Sequence, residues 1–418
     1  MPKSFDSINL LKSRESTCCV VGLGYIGLPT AVILAKSGHF VIGVDVNPQI
    51  INDVNHGKAH IKEPGLDKAL SEVISEGSLK AQKQPCQADI FIITVPTPFR
   101  KNESGIPQPN IDYVLAASLQ IAKQIRPGDL VLLESTSPVE TTSKVAKLIT
   151  EESGIGTDEF NIAYCPERVI PGDILNELLS NDRVIGGVTP KSATAGKNFY
   201  AGFCKGELLT TTANVAELVK LVENAFRDIN IAFANELSLV CHRLGIDAID
   251  LIRLANHHPR VNILKPGCGV GGHCIAVDPW FIAAEAPDIT PLIQTARYVN
   301  NQKSIWVTSQ IQSRADSLKN QLSRDPIIGC LGLAFKPNVD DLRESPALQI
   351  TSDLILAGSS VIACEPNLSD HSTIRLHCLD YVLSNADLLV FLVAHSTFIG
   401  LDLRGKDVFD LCGVTKMA

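Results

Sequence analysis

A cysteine behind a glycine-rich turn is the strongest candidate for covalent chemistry in this chain of 418 residues. Residues 269–274 (GVGGHC) end in the thiol of Cys274, and the carboxylate of Asp278 follows four positions later. A flexible loop can bring a thiol close to a ligand, and a nearby carboxylate can move protons. A cysteine of this kind can equally be a packing residue, so the segment alone leaves its chemistry open.

A second glycine pattern has the spacing of a dinucleotide-binding turn. Gly22, Gly24 and Gly27 follow an apolar run and precede an apolar helical segment, as in the G-x-G-x-x-G fingerprint. Asp45 ends the next apolar run, 18 residues beyond Gly27, where a carboxylate can accept from both ribose hydroxyls and would repel a 2′-phosphate. The pattern predicts binding of NAD rather than NADP. A glycine turn without a ligand is the alternative.

Further polar groups follow other predicted strands. Residues 96–98 (PTP), 134–138 (ESTSP) and 164–168 (YCPER) lie where doubly wound sheets bind ligands, although ordinary turns have similar compositions. In the C-terminal part, Lys336 and Arg343 follow an apolar run and can supply positive charge for a phosphate or a cofactor.

One helical segment carries three polar residues on a common face. Lys220, Asn224 and Arg227 are spaced i, i+4 and i+7. The same spacing is typical of a solvated face, so it does not by itself indicate a site.

Composition excludes several classes of function. The net charge of −8 is unlike that of a nucleic-acid-binding protein, and no apolar run approaches the ~20 residues that a membrane helix needs. The 12 cysteines include no C-x-x-C pair, and His273 and Cys274 are adjacent and point apart in most backbones, so no metal site is expected. Reduced cysteines and the absence of an apolar signal core predict a cytoplasmic location.

The elements that must position these residues form two α/β series. Apolar runs at 18–21, 40–44, 90–95, 130–133, 161–164 and 184–185 alternate with helical patterns, which predicts parallel strands with crossover helices. Residues 207–244 contain neither Gly nor Pro and show helical spacing, which predicts one long helix, and a further helix is expected near 291–317. A second series of strands begins at 327–333 and continues through 361–364, 388–393 and 408–411.

The predicted fold is therefore α/β, with two Rossmann-like doubly wound domains joined by a central helical domain that contains one long helix. The expected boundaries are 1–205, 206–317 and 318–418. Two helix starts are also predicted from local capping patterns, one at residues 137–140 (SPVE) and one at Ser345-Pro346.

Five motifs, in order and over nearly the whole chain, resemble the UDP-sugar 6-dehydrogenases of the UDP-glucose/GDP-mannose dehydrogenase family. They are residues 22–29 (GLGYIGLP), 134–138 (ESTSP), 165–168 (CPER), 271–274 (GGHC) and 335–337 (FKP). The residues before Cys18 and the end at 412–418 depart from the family pattern, but neither segment touches a motif. The resemblance implies NAD as cofactor and a four-electron oxidation of a C6 alcohol to a carboxylate, through a thiohemiacetal and a thioester on Cys274.

The resemblance also implies roles for individual residues. Lys220 stabilises an oxyanion or shuttles a proton, Asn224 positions the C6 oxygen, and Asp278 acts with water as base. Glu167 and Thr136 assist at the thioester. The implied cofactor contacts are Gly22, Gly24, Tyr25, Ile26, Gly27, Asp45, Thr97, Thr136 and Arg343; the implied substrate contacts are Arg168, Val169, Lys220, Asn224, Arg227, His258, Arg260, Gly271, Phe335 and Lys336.

Three segments resemble the branch of the family that acts on UDP-N-acetyl-D-mannosamine. They are residues 165–172 (CPERVIPG), 181–187 (NDRVIGG) and 256–262 (NHHPRVN). The family further implies a homodimer formed through the long helix, in which His258, Arg260 and Arg343 act across subunits or domains. Two alternatives stay open: the same chemistry on UDP-N-acetylglucosamine or UDP-glucose, and a non-catalytic NAD-binding sensor that has kept the fold.

Overall fold

We describe a computed structural model of the chain, which covers residues 16–100, 106–170, 172–272 and 274–416. The chain divides into two compact units, residues 1–221 and residues 222–418.

The first unit contains an eight-stranded sheet and a short hairpin. The strands of the sheet are β1 (Thr17–Val21), β2 (Phe40–Val44), β3 (Leu79–Gln82), β4 (Ile90–Ile93), β7 (Leu130–Leu133), β8 (Asn161–Tyr164), β9 (Arg183–Gly187) and β10 (Leu208–Thr212); β5 (Phe99–Arg100) and β6 (Gln108–Pro109) form the hairpin. The helices are α1 (Gly27–Lys36), α2 (Pro48–Asn55), α3 (Leu66–Ser75), α4 (Asp112–Ala122), α5 (Thr141–Ser153), α6 (Ile174–Ser180) and α7 (Pro190–Ala201).

The strand order of this sheet is β10-β9-β8-β7-β4-β1-β2-β3. Strands β1 to β4, β7 and β8 pair in parallel, and alternate residues of β1 enter separate apolar cores: Cys18 and Val20 one, Cys19 and Val21 the other. The order reverses between β1 and β4, which is where doubly wound sheets bind ligands.

The prediction that every strand of this series is parallel is wrong for β9, which pairs with β8 in antiparallel orientation. Among the described residues of the connection 165–182, the seven-residue α6 is the one helix, and the connection returns the chain to the sheet edge at which β8 ends. An antiparallel neighbour needs no crossover, so alternation of strand and helix patterns cannot reveal the reversal. Its consequence is that Arg183, the first residue of β9, lies near the residues that follow β8.

The second unit combines long helices with a four-stranded parallel sheet. Helix α8 (Ala213–Leu244) begins in the first unit and continues into the second; it has 32 residues and confirms the predicted long helix. It is followed by α9 (Ala248–Ala255), α10 (Asp278–Glu285) and α11 (Pro291–Leu322). The sheet contains β11 (Ile327–Leu331), β12 (Ser360–Cys364), β13 (Leu388–Phe391) and β14 (Asp407–Asp410), with helices α12 (Pro346–Leu356) and α13 (Leu379–Asn385).

The order of the second sheet is β12-β11-β13-β14, and every pair is parallel. Cores lie on both faces, with Ile328 and Cys330 in one and Leu331 in the other. Helix α11 contacts α8 through buried polar groups, among them an ion pair of 2.7 Å between Arg297 and Asp228. The predicted fold class, two α/β sheets with a helical region between them in sequence, is confirmed.

Candidate functional site

The glycine turn after β1 is tight at both ends and open in the middle. Gly22 has a φ of +98°, and its N–H donates to the carbonyl oxygen of Val44 at 2.8 Å. A Cβ atom at Gly27 would lie 1.8 Å from the carbonyl oxygen of Gly22, whereas a Cβ at Gly24 would meet nothing within 4 Å. A ligand can therefore approach the backbone at Gly24.

The N-terminus of α1 has neither a side-chain cap nor an acidic residue in its first turn. Its N-cap residue is Ile26. By contrast, Asn47 caps α2 and Thr189 caps α7. The first N–H groups and the positive end of the helix dipole can thus receive a pyrophosphate, and half-buried Tyr25 and Ile26 form the turn that leads to them.

Asp45 is held beside this turn by the backbone. Its carboxylate accepts from the N–H groups of Leu23 at 3.0 Å and Asn47 at 2.9 Å. A carboxylate has about four lone-pair sites, so further acceptor positions can take ribose hydroxyls. The open glycine, the uncapped helix and this acid together fit NAD.

The loops that follow β4 and β7 are joined by hydroxyl groups. The hydroxyl of Thr97 donates to the carbonyl oxygen of Thr136 at 2.5 Å, and that of Ser135 donates to the carbonyl oxygen of Val95 at 2.7 Å. The structure therefore brings Thr97 and Thr136 together at the carboxyl edge of the sheet.

A buried polar cluster lies at the end of β8. Arg183 contacts the Glu167 carboxylate at 3.1 Å, and its guanidinium lies 4.6 Å from the centre of the Tyr200 ring. The Tyr200 hydroxyl donates to Glu134 at 2.7 Å. Burial, together with the charge of Glu167, raises the pKa of Glu134 to about 7. Burial also raises the pKa of Cys165 to about 12, which disfavours this thiol as a nucleophile.

Lys220 and Arg168 are both anchored to Glu167. The ammonium of Lys220 donates to the Glu167 carbonyl oxygen at 2.8 Å, and the Arg168 N–H donates to the Glu167 carboxylate at 2.9 Å. The Arg168 guanidinium reaches the carbonyl oxygen of Asp182 at 3.3 Å, and half-buried Val169 packs against the core. The first unit thus groups four predicted site residues around the end of β8.

In the second unit, the nucleophile candidate lies at the start of the turn into α10. The carbonyl oxygen of half-buried Cys274 accepts from the N–H of Asp278 at 2.8 Å. The buried carboxylate of Asp278 accepts from the side-chain amide of Asn224 at 2.6 Å. Three residues predicted to be catalytic are therefore joined in one local arrangement.

The glycines before Cys274 pack against the loop that follows β11. A Cβ at Gly271 would lie 2.3 Å from the carbonyl oxygen of Glu344, and a Cβ at Gly272 would lie 2.9 Å from the Phe335 ring. The Lys336 ammonium lies 5.8 Å from the centre of the Phe335 ring. The Arg343 guanidinium, predicted to contact the cofactor, pairs with Asp341 at 2.6 Å.

The remaining predicted substrate contacts are exposed. Arg227 is exposed on α8, and His258 and Arg260 are exposed in the loop after α9. The Arg260 N–H donates to Nδ1 of His258 at 3.3 Å, while the side chain of Asn256 makes two hydrogen bonds with the backbone of Ile263 and holds this loop.

Two groups of residues were missed in the sequence. Glu134 and Arg183 occur within recognised motifs, but no feature of the motifs indicates that both contact Tyr200 in one buried cluster. Tyr200 and, in the second unit, the buried pair of Glu365 and His395 carry no motif signal.

Within the described ranges, no three His, Cys, Asp or Glu side chains are grouped as metal ligands; His273 lies outside those ranges. No helix in the part of the chain that the structure covers is long and apolar enough to cross a bilayer.

Three family models match consecutive parts of the chain. They are the NAD-binding domain (residues 16–204), the central domain (214–302) and the UDP-binding domain (329–417) of the UDP-glucose/GDP-mannose dehydrogenase family. The chain belongs to this family. Membership confirms two predictions: the cofactor is NAD, and the protein is an oxidoreductase that acts on a UDP-sugar.

Individual relatives cover almost the whole chain. A UDP-N-acetyl-D-mannosamine dehydrogenase of Campylobacter jejuni is 49% identical over 94% of this chain and 98% of its own length. An NDP-N-acetyl-D-galactosaminuronic acid dehydrogenase of Ralstonia nicotianae is 45% identical over 95% of this chain and 96% of its own. The solved UDP-N-acetyl-mannosamine dehydrogenase of Staphylococcus aureus is 40% identical, with a TM-score of 0.88 and 96% of each chain covered.

Proposed function

We propose that the chain oxidises C6 of UDP-N-acetyl-D-mannosamine to the carboxylate, producing UDP-N-acetyl-D-mannosaminuronate with two molecules of NAD. The observation that carries the proposal is the local arrangement of Cys274, Asp278 and Asn224, with Asn224 bonded to Asp278 at 2.6 Å. A thiol followed one turn later by a buried, oriented carboxylate is suited to covalent chemistry on a carbonyl. Glycine turns and buried acids alone would also suit a non-catalytic sensor, which has no need of this arrangement.

The reaction is balanced by two oxidations around one covalent adduct. When bound, NAD supplies the oxidant, one molecule accepting a hydride from the C6 alcohol and a second accepting a hydride from the thiohemiacetal. The thiolate of Cys274 adds to the aldehyde carbon, so that a C–S bond forms and the carbonyl oxygen takes a proton. Water then attacks the resulting thioester, the C–S bond breaks, and the acid and the thiol are released.

Polar residues of the chain manage the protons and the developing charge. Asp278, held by Asn224, accepts protons through water, while Asn224 positions the C6 oxygen. Lys220 stabilises the oxyanion, and its ammonium is already directed by the Glu167 carbonyl at 2.8 Å. Glu167 and Thr136 assist hydrolysis of the thioester.

The first unit supplies the groups that orient the cofactor. Gly22, Gly24, Tyr25, Ile26 and Gly27 receive the pyrophosphate at the uncapped start of α1. Asp45 receives the ribose hydroxyls, while Thr97 and Thr136 line the adjoining loops. Arg343, paired with Asp341, is a further cofactor contact that belongs to the second unit.

The choice of sugar is assigned to groups around its acetamido substituent. UDP is common to all the candidate substrates, so Phe335, Lys336 and Gly271 cannot discriminate among them through it. The discriminating contacts are Arg168, Val169, Arg227, His258 and Arg260. Support comes from the segments 165–172 and 256–262, which contain all of these residues except Arg227, and from the name of the 49%-identical relative.

A panel of UDP-sugars tests this substrate. NADH formation by the purified protein should be fastest with UDP-N-acetylmannosamine, slow with its glucosamine epimer, and at least ~100-fold lower in kcat/KM with UDP-glucose, because polar groups that the bound acetamido group covers would lose their partner in its absence. UDP-N-acetylgalactosamine belongs in the panel because of the 45%-identical relative. A preference for any other sugar would move the chain to that substrate, and NADH formation with none would favour the sensor.

The assembly state completes the proposal. The chain forms a homodimer through α8, where five large apolar side chains of the second unit are exposed along one stripe: Val222, Phe226, Phe233, Val240 and Leu244. Their spacings of four and seven residues keep them within a narrow sector of the helix. Apart from Cys274, the cysteines are free thiols, which supports a location in the reducing cytoplasm.

A further inference from the structure

The second sheet repeats the turn-and-acid geometry of the first. Gly332, with φ +89°, donates its N–H to the carbonyl oxygen of Cys364 at 2.9 Å, as Gly22 donates to Val44. The N–H of Leu333 then donates to the carboxylate of Glu365 at 2.7 Å, as that of Leu23 donates to Asp45. Glu365 therefore occupies the position that an acid takes in a dinucleotide-binding turn to receive a ribose.

The surroundings of Glu365 give it a different role from that of Asp45. Its side chain is buried, and its Oε2 accepts from the N–H groups of Leu333 and Ala334 and from Nε2 of His395 at 2.7, 3.0 and 3.1 Å. Its Oε1 accepts from the backbone and side-chain nitrogens of Asn367, both at 3.1 Å. Five donors fill the acceptor capacity of a carboxylate, so a ribose hydroxyl has no position left.

His395 extends these contacts to the far end of the same loop. Its Nδ1 accepts from the N–H of Asn338 at 2.9 Å, so the ring proton is on Nε2, which donates to Glu365. The side-chain oxygen of Asn338 in turn accepts from the N–H of Ser396 at 2.9 Å. The buried pair thus holds the segment 333–338 at both ends.

Between the two ends lie Phe335 and Lys336. The Phe335 ring occupies the space beside Gly272, and the N–H of Gly272 donates to the carbonyl oxygen of Arg343 at 3.0 Å. A displacement of segment 333–338 would therefore move the surface on which the glycines before Cys274 pack.

We propose that Glu365 and His395 are positioning residues for the uridine diphosphate of the substrate: they fix segment 333–338 so that Phe335 and Lys336 meet the ligand and Phe335 supports the loop of Cys274. The inference rests on the proposed function, which assigns Phe335 and Lys336 to the substrate. It also means that Glu365, at the position of a ribose-binding acid, positions a loop instead of receiving a ribose.

Variants can separate the two bonds of His395. In His395→Gln, the side-chain amide can replace the Nε2 donor to Glu365, but the acceptor for Asn338 is lost. In His395→Asn, an oxygen can replace the Nδ1 acceptor, but the donor to Glu365 is lost. In Glu365→Gln, the side-chain NH2 group replaces one of the two carboxylate oxygens. It then faces N–H donors that have lost their acceptor.

Asp410→Asn is the matched control for Glu365→Gln. Asp410 also ends a strand of this sheet and accepts backbone N–H groups, those of Cys412, Gly413, Val414 and Thr415, at 2.8 to 3.2 Å. It holds the chain after β14 and not segment 333–338. A general loss of stability would appear in both variants, whereas a loss of positioning would appear only in the first.

The experiment measures the Kd for UDP by titration calorimetry and the KM values for UDP-sugar and NAD. We expect Glu365→Gln and His395→Gln to weaken UDP binding by about tenfold while the KM for NAD changes less than twofold and Asp410→Asn binds UDP as the unmodified protein does. If a folded Glu365 or His395 variant binds UDP normally, the inference is wrong; if Glu365→Gln does not fold, the two His395 variants decide. Phe335→Ala and Lys336→Ala test the proposed function separately, because normal UDP binding by both would remove this loop from the substrate site.

Discussion

Among single residues, Glu134 makes the clearest prediction because its proton is sensitive to burial. Its pKa is raised to about 7, first by burial and then by the charge of Glu167, from an ordinary value of 4.5. The folded protein therefore keeps this proton over a pH range in which the unfolded chain has released it. Stability from this group is fully present below pH 4.5 and is lost as the pH rises through 7.

Replacing Glu134 by Gln removes the ionisation and keeps the shape of the protonated acid. The free energy of unfolding of the unmodified protein minus that of Glu134→Gln should fall by on the order of 2 kcal/mol between pH 5 and pH 8. Urea unfolding at several pH values measures the difference. Tyr200→Phe removes a hydrogen bond that lowers the pKa of Glu134, so this pKa should rise further. The loss of stability should then extend to higher pH. Parallel pH dependence of the unmodified protein and Glu134→Gln would show that folding does not raise the pKa of Glu134.

Some of the site residues can be found from the sequence, whereas others become visible only in the fold. Cys274, Asp278 and Asn224 stand out by type and spacing, and the structure joins Asn224 to Asp278 and Asp278 to the backbone of Cys274. The contact of Arg183 with Glu167 depends on the reversal of β9, which no local pattern indicates. A buried ion pair formed by a change of chain direction is visible only in the fold.

At the scale of elements, the two predicted helix starts had opposite outcomes. Ser345 caps α12, as predicted, by accepting from the N–H of Leu348. The start predicted at residues 137–140 is wrong: α5 begins at Thr141 after Glu140, which has a φ of 72°. There the carboxylate of Glu217 accepts from the N–H groups of Glu140 and Thr142, both at 2.7 Å. A cap supplied from a distant helix displaces the local pattern.

The exposed apolar stripe of α8 predicts which substitutions should prevent formation of the dimer. Phe226 and Phe233 are 65% and 51% exposed on its apolar stripe, and burying each against a second copy would contribute roughly 1.5–3 kcal/mol. The double variant Phe226→Glu with Phe233→Glu should therefore be monomeric at micromolar concentration. Size-exclusion chromatography with light scattering gives the mass.

A control variant keeps this prediction specific. Leu356 at the end of α12 is 84% exposed, so Leu356→Glu adds a charge at an exposed apolar position outside the stripe and should leave the dimer intact. A dimer that survives the double substitution in α8 would contradict assembly through this stripe, and so would an unmodified protein that is already monomeric.

At the scale of the whole chain, the sequence predicts the two α/β series because each depends on local apolar patterns and turns. Apolar runs mark β1, β2 and β11 without ambiguity, and the absence of Gly and Pro marks α8. By contrast, the packing of Gly272 against Phe335 joins residues more than sixty positions apart, and only tertiary structure places them in contact. The glycines before Cys274 are thus needed for close packing on the Phe335 loop as well as for a flexible turn.

If one protein carries out both oxidations through the thiol of Cys274, the ratio of NADH to sugar acid must reflect two hydride transfers per substrate. With UDP-N-acetylmannosamine and excess NAD, we expect about two NADH per uronic acid and no accumulation of free aldehyde, because the covalent adduct holds the intermediate between the steps. Cys274→Ala should form no acid. A ratio of about one with aldehyde released, or acid formation by Cys274→Ala at a rate near that of the unmodified protein, would contradict the account.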